Sequence, residues 1–115
     1  MTIEVRHYVT ASGKDVFQGW LDRLRDRQAQ ARVQARVDRL ERGLFGDVEP
    51  CGEGVWELRI DWGPGYRVYY ARAGERIVLL LLGGDKRKQD ADIKQAKEYW
   101  HEYQQRTKVQ DRRPH

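Results

Sequence analysis

Between residues 55 and 82 three short apolar segments follow one another with only turn residues between them, and few folds accept such a run. In the first, Val55 to Asp61, Trp56, Leu58 and Ile60 alternate with Glu57, Arg59 and Asp61. In the second, Tyr66 to Arg72, Tyr66, Val68 and Tyr70 alternate with Arg67 and Tyr69. A period of two is the mark of a strand that turns one face to a core. Gly63-Pro64-Gly65 and Ala73-Gly74-Glu75 supply the turns. The third segment, Arg76 to Leu82, is continuously apolar in its centre and reads as a buried strand. Three strands joined by tight turns form an antiparallel meander.

Pairing constrains the polar side of this hairpin as much as the apolar side. Residues directly opposite in an antiparallel pair share a face, so the two apolar sets must meet. A three-residue connection then pairs Asp61 with Arg67, and a five-residue one pairs Arg59 with Arg67. Both registers place Arg59 and Arg67 together on the face away from the apolar set. Two guanidiniums that close repel each other, and folding does not ask for them. Either Glu57 and Asp61 neutralise them on the same face, or they await a phosphate, which a guanidinium grips through two parallel hydrogen bonds.

Upstream, Ile3, Val5 and Val9 alternate with Glu4, Arg6 and Tyr8 as a half-buried strand. Ser12 and Asp15 have capping-box spacing. Val16, Phe17, Trp20, Leu21 and Leu24 then recur at helical spacing, followed from about Gln28 by Val33, Val37, Leu40 and Leu44. Gly43 and Gly46 punctuate the second helix, whose outer face carries Arg32, Arg36 and Arg39. A last helix runs from about Gln89 to Gln104 with Ile93, Ala96, Trp100 and Tyr103 on its buried stripe. The expected fold is α+β: an antiparallel sheet built as strand, two-helix hairpin, three-strand meander and C-terminal helix, with the helices on one face. Residues 1–105 form a single domain, and 106–115 a loose polar tail.

Charge is compatible with polyanions as partners, although the excess is small and a basic helix is usually a solvated face. The 22 Lys and Arg outnumber 18 Asp and Glu, giving a net charge of +4, and the excess lies in segments 21–42 and 84–115. No apolar run approaches the about 20 residues of a membrane span. The opening Met1-Thr2-Ile3-Glu4-Val5 has no charged-then-apolar leader, so a cytoplasmic protein without a membrane partner is expected. Cys51 is the single cysteine, and no His, Asp or Glu cluster has metal-ligand spacing, so neither disulfide nor metal site is expected.

The third strand leads into Gly83-Gly84-Asp85-Lys86-Arg87-Lys88-Gln89. Two glycines allow a sharp exit, and three cations then crowd a helix start, where an anion is favoured and a cation is not. With Asp85, Asp90 and Asp92 as countercharges this is a solvated turn. Joined to Arg59 and Arg67, the cations Lys86, Arg87 and Lys88 make a phosphate cradle. No histidine belongs to it by sequence: His7 sits on the first strand, His101 late in the last helix and His115 in the tail. Tyr69, which shares the arginine face, and Lys86 are the candidates for proton transfer. Trp62 at the turn either stacks on a base or packs against the body.

The stretch Val55-Trp56-Glu57-Leu58-Arg59-Ile60-Asp61-Trp62-Gly63-Pro64-Gly65-Tyr66-Arg67-Val68-Tyr69-Tyr70 resembles the RelE/ParE toxin superfamily of type II toxin–antitoxin systems. The similarity is to its HigB-like, phage-derived addiction module killer branch, with an "ELR" strand, a glycine-bearing turn, a "YR" strand and a Lys-rich loop before the last helix. The resemblance implies a compact microbial RNase-like fold that enters the ribosomal A site and cuts mRNA without metal or cofactor. There the ribose 2′-hydroxyl attacks its own phosphodiester and leaves a 2′,3′-cyclic phosphate. By position, Arg59 and Arg67 correspond to sheet arginines that hold the scissile phosphate, and Lys86 and Lys88 to the loop lysines. A cognate antitoxin of the helix-turn-helix kind is implied, besides the ribosome and mRNA. Two other functions share this fold: a ParE-like toxin that inhibits DNA gyrase without cutting RNA, and an inactive protein that only binds its antitoxin.

Overall fold

The computed structural model describes residues 2–111, with side chains through residue 108. The elements are β1 (Glu4–His7), α1 (Val16–Arg23), α2 (Arg27–Leu40), β2 (Val48–Gly52), β3 (Val55–Ile60), β4 (Tyr66–Arg72), β5 (Ile77–Asp85), a 3₁₀ turn (Lys86–Lys88) and α3 (Gln89–Asp111). Among the described residues the strands form one five-stranded sheet in the order β1-β5-β4-β3-β2. The α+β class and the meander hold. The all-antiparallel sheet does not, because β1 pairs with β5 in parallel, which makes the sheet mixed. No helix is long and apolar enough to cross a membrane among the described residues.

The fifth strand, β2, was not expected. Its sequence Val-Glu-Pro-Cys-Gly lacks alternation and contains a proline, which removes a ladder donor and confines such a segment to an edge. It sits at that edge, antiparallel to β3, with a register shift between Pro50 and Gly52.

Helices cover both faces of the sheet, not one. Phe17 and Leu21 of α1 and Ala29, Val33, Val37 and Leu40 of α2 pack on Leu58, Ile60, Val68, Tyr70, Val78 and Leu80. The opposite face carries Val55, Tyr69, Ala71, Leu79 and Leu81, and Ile93, Ala96, Trp100 and Tyr103 of α3 close over it. β4 and β5 are apolar on both sides, and a sheet of that composition needs a layer on each. The same layering explains Tyr8. It points away from the α1–α2 side as its alternation requires, yet is only 3% exposed, because it stacks on Tyr99 of α3 at a centroid distance of 4.7 Å. Val9, expected inside, is exposed, and so is Leu44, which lies beyond the end of α2.

Local signals are met with small shifts. The α1 cap is Asp15 itself, whose carboxylate accepts from the Gln18 N–H at 3.1 Å, while Ser12 lies outside with its hydroxyl 3.0 Å from that of Thr10. Asp26 caps α2 in the same way. α3 runs on through Asp111, so residues 106–111 belong to a helix and not to a loose tail; Arg106 pairs with Glu102 and donates to the Val9 carbonyl at 3.1 Å. Residues 112–115 of the expected tail, His115 among them, lie outside the described residues.

Candidate functional site

The β3–β4 connection has the longer of the two expected lengths. Ile60 pairs with Tyr66 and Arg59 directly with Arg67, so the two arginines stand on adjacent strands on one face. That face is not helix-free, as the reading of the meander required. α3 covers Tyr69 and Val55 and leaves open the end that carries Arg59 and Arg67. The Arg59 side chain keeps 34% of its surface, and Arg67 only 11%.

Between them lies Glu57, buried and shared. Its Oε1 is 3.4 Å from Nε of Arg59 and 3.7 Å from Nε of Arg67. The carboxamide of Gln89, the first residue of α3, donates to both Glu57 oxygens, at 3.2 and 3.0 Å. Arg59 also reaches Glu49 at 3.3 Å and Asp47 at 3.9 Å, both well exposed. Neutralisation on this face is therefore real, by one buried carboxylate and two exposed ones. Glu57 contributes as expected, whereas Asp61 forms no ion pair among the described residues and Glu49 and Asp47 take its place. Those two belong to β2 and its entry, which explains why the alternating hairpin alone did not reveal them.

A cleft of about 410 Å³ opens over this arrangement, lined by Asp47, Arg59, Asp61, Gly63, Pro64, Gly65, Arg67 and Lys86. Lys86 arrives there by backbone pairing: its N–H donates to the Gly65 carbonyl at 2.8 Å. Gly65 needs its positive φ of 84° to close the turn, and a β-carbon there would sit 3.4 Å from Nη1 of Arg67. Of the five cations expected to act together, Arg59, Arg67 and Lys86 line this one cleft. Arg87 and Lys88 do not line it. The Arg87 guanidinium folds onto Asp85, with Nη2 at 2.9 Å, and that hydrogen bond holds the Asp85 carboxyl below the usual carboxylate range.

The glycines before the cradle do not serve as a sharp exit. Gly83 and Gly84 both lie within β5, and neither has a positive φ. The Trp20 ring fills the space of a side chain at Gly83, and the Asp92 carboxylate fills that at Gly84. Burial pushes the Asp92 carboxyl above its ordinary range, and its Oδ2 has no hydrogen-bond partner.

Tyr69 lies on the arginine face but is fully buried beneath α3, and its hydroxyl has no partner. Burial raises its ionisation well above that of a free phenol, and it does not line the cleft. Trp62 packs against the body: its indole N–H donates to Asp26 at 3.0 Å, and the Arg32 guanidinium lies 3.8 Å over its ring. His7 is a structural group, with Nδ1 2.8 Å from Asp15 and its ring edge-on to Phe17. Glu57 and Gln89 are the members of the site that sequence reasoning did not single out as functional. Their signal was a carboxylate two residues from Arg59 on the same face, a position Asp61 shares, and an amide at the first helical position.

The comparisons with known proteins fall on this same region. A protein of Haemophilus influenzae, itself described as uncharacterized, is 46% identical over 97 residues, which cover 84% of this chain and 92% of that one. A family model described as Phage derived protein Gp49-like matches residues 19–104, a span that takes in the arginine hairpin, Lys86 and Gln89. On that match, which covers most of the chain and the whole of the cleft, the chain belongs to the phage-derived Gp49-like family.

Proposed function

We propose that the protein is the toxin of a type II toxin–antitoxin pair and acts as a metal-independent endoribonuclease on ribosome-bound mRNA. The observation that carries the reading is the direct pairing of Arg59 with Arg67 at the floor of a cleft that Lys86 also enters. In-line attack by a ribose 2′-hydroxyl on the adjacent phosphorus breaks the bond to the 5′-oxygen of the next nucleotide and leaves a 2′,3′-cyclic phosphate. Charge builds on the phosphoryl oxygens in the transition state, and cations fixed on strands stabilise it without reorganising. The exposed Glu49 and Asp47 do not block this role. Exposed ion pairs contribute about 0–1 kcal/mol, so a phosphate can displace them.

Of the two candidates for proton transfer, Lys86 lines the cleft, whereas Tyr69 is sealed beneath α3. The partners of this reading are the ribosome, mRNA and a helix-turn-helix antitoxin, in the cytoplasm. The test is expression of the chain and of the double variant Arg59→Ala/Arg67→Ala, with transcript 5′ ends mapped by primer extension and gyrase supercoiling assayed in parallel. New in-frame cuts with the parent chain, absent with the variant, are expected. Growth inhibition without cuts but with lost supercoiling transfers the protein to the gyrase-directed class. Neither effect leaves the antitoxin-binding role.

A further inference from the structure

The cleft arginines do not stand free; they share one buried anion, and its position decides which of their edges a ligand meets. Nε of each lies within ion-pair distance of the same oxygen, Oε1 of Glu57, at 3.4 Å from Arg59 and 3.7 Å from Arg67, and the buried Nε of Arg67 has no hydrogen-bond partner. Nη1 of Arg59 goes to Glu49, and Nη1 of Arg67 donates to the Tyr66 carbonyl at 3.3 Å. Nη2 of each makes no hydrogen bond among the described residues. Glu57 itself is 3% exposed and is fixed from behind by two hydrogen bonds from Gln89. A carboxylate so placed cannot touch a ligand in the cleft.

We propose that Glu57 is a positioning residue that keeps Arg59 and Arg67 side by side, with their outer guanidinium nitrogens presented to a phosphodiester. The physical reason is electrostatic. Two guanidiniums on directly paired residues repel, and rotamers that separate them would point their charge to different places. One anion between the two Nε atoms removes that repulsion at the inner edges and leaves the outer edges cationic. A second buried carboxylate would oppose phosphate binding, whereas Glu49 and Asp47 at Arg59 are exposed and yield to a phosphate, and no carboxylate would let the arginines splay. The inference rests on the ribonuclease reading for its effect on rate, though not for its effect on the arginines.

Two measurements on the full chain test it. Arginine Nε–Hε resonances report the side chains directly: Arg59 and Arg67 are expected to give slowly exchanging signals in the parent chain and in Glu57→Asp, and to lose that protection in Glu57→Gln. Cleavage of mRNA on programmed ribosomes reports the consequence. Glu57→Gln is expected to lower kcat roughly 10²-fold, the scale of a misplaced catalytic group, with KM unchanged or smaller because the cleft gains positive charge. Glu57→Asp should recover part of kcat. Gln89→Ala, a milder change that keeps both charges, should move both readouts the same way by about 10-fold or less, and covers the case in which Glu57→Gln does not fold. Unchanged arginine signals in Glu57→Gln or Gln89→Ala overturn the proposal, as does unchanged kcat per folded molecule. A parent chain that cuts no RNA while its arginine signals still depend on Glu57 rejects the ribonuclease reading alone and upholds the holding role.

Discussion

The ring of Trp20 on α1 occupies the space that a side chain at Gly83 of β5 would need. On the other side of the same strand the Asp92 carboxylate does the same at Gly84. Two successive glycines thus let both covering layers approach the strand that leads to the cleft, α1 from one side and α3 from the other.

The two positions differ in how they yield. A methyl at Gly83 meets a packed indole, whereas one at Gly84 meets the end of a short side chain that can rotate toward water. Gly83→Ala is therefore expected to lose about 1–3 kcal/mol, the usual cost of overpacking, and Gly84→Ala less. Chemical denaturation of the two variants checks the order. Equal losses would mean that the α3 contact is as rigid as the α1 contact.

Removing the Tyr69 hydroxyl is expected to be harmless. It is buried, has no hydrogen-bond partner and does not line the cleft. A buried donor without a partner already bears its desolvation penalty of about 1–3 kcal/mol, so Tyr69→Phe should be neutral or stabilising by up to about that amount. RNA cleavage should survive the change. A loss of activity in a fully folded Tyr69→Phe would restore the tyrosine to the catalytic set.

Much of this site was legible because strand pairing obeys parity. Alternation in Val55–Ile60 and Tyr66–Arg72 placed Arg59 and Arg67 on one face before any length of turn was known, and the five-residue turn then made them direct partners. The layer that α3 lays over the rest of that face was not legible. The stripe of α3 is apparent from Ile93, Ala96, Trp100 and Tyr103, but a stripe states only that a helix is covered, not which sheet face it covers. The countercharges were hidden for another reason. Glu49 and Asp47 come from an edge strand and its entry, where Pro50 and flanking glycines carry no strand period. The role of Gly83 and Gly84 was misread because glycine marks a turn and a close approach equally, and only the positions of Trp20 and Asp92 separate the two.

The three loop cations should differ sharply in effect. Lys86 lines the cleft, whereas Arg87 is held by Asp85 and Lys88 lies outside the lining. Lys86→Ala is expected to cut the cleavage rate roughly 10²–10³-fold, as loss of a transition-state donor does. It should also reduce the salt slope of RNA binding by about one unit. Arg87→Ala should leave both nearly unchanged. Single-turnover cleavage and binding titrations across a salt series measure the difference; equal effects at positions 86 and 87 would show that the loop acts as a diffuse cationic patch.

Asp92 gives the pH dependence a definite sign. Its carboxyl is raised above the ordinary range by burial, with Asp85 adding to the rise and Lys88 opposing it. The folded protein therefore holds the proton more tightly than the unfolded chain does. The stabilisation from that proton is present at pH below the unfolded value and is lost as pH rises through the folded one. Asp92→Asn keeps a neutral side chain at every pH, so its advantage over the parent should be small near pH 3 and grow toward about pH 7. Denaturation midpoints of both proteins across that range test this; a constant difference would mean that Asp92 titrates as a solvated carboxyl.

Arg36 connects the fold to the cleft without entering it. Its guanidinium lies against backbone, not carboxylates: Nη1 donates to the Arg59 carbonyl at 2.5 Å, and Nη2 to those of Phe45 and Asp47 at 3.0 and 3.4 Å. Burial, with Asp47 raising and Arg39 lowering, holds its pKa below the ordinary arginine value. A fan of donors spanning three carbonyls needs a planar fork, which the single ammonium of lysine does not provide. Arg36→Lys should therefore leave at least one of these carbonyls without its partner. A hydrogen bond from a charged group contributes about 1.5–3 kcal/mol, and a loss within that range is expected. Because the Arg59 carbonyl and the Asp47 segment share this anchor, the loss should appear locally as faster amide exchange at Arg59, whose N–H donates to the Asp47 carbonyl at 2.9 Å. Exchange measured residue by residue, with α3 as the internal reference, distinguishes this from global destabilisation: protection should fall first at the β2–β3 edge, and a uniform fall across both layers would refute a local anchoring role.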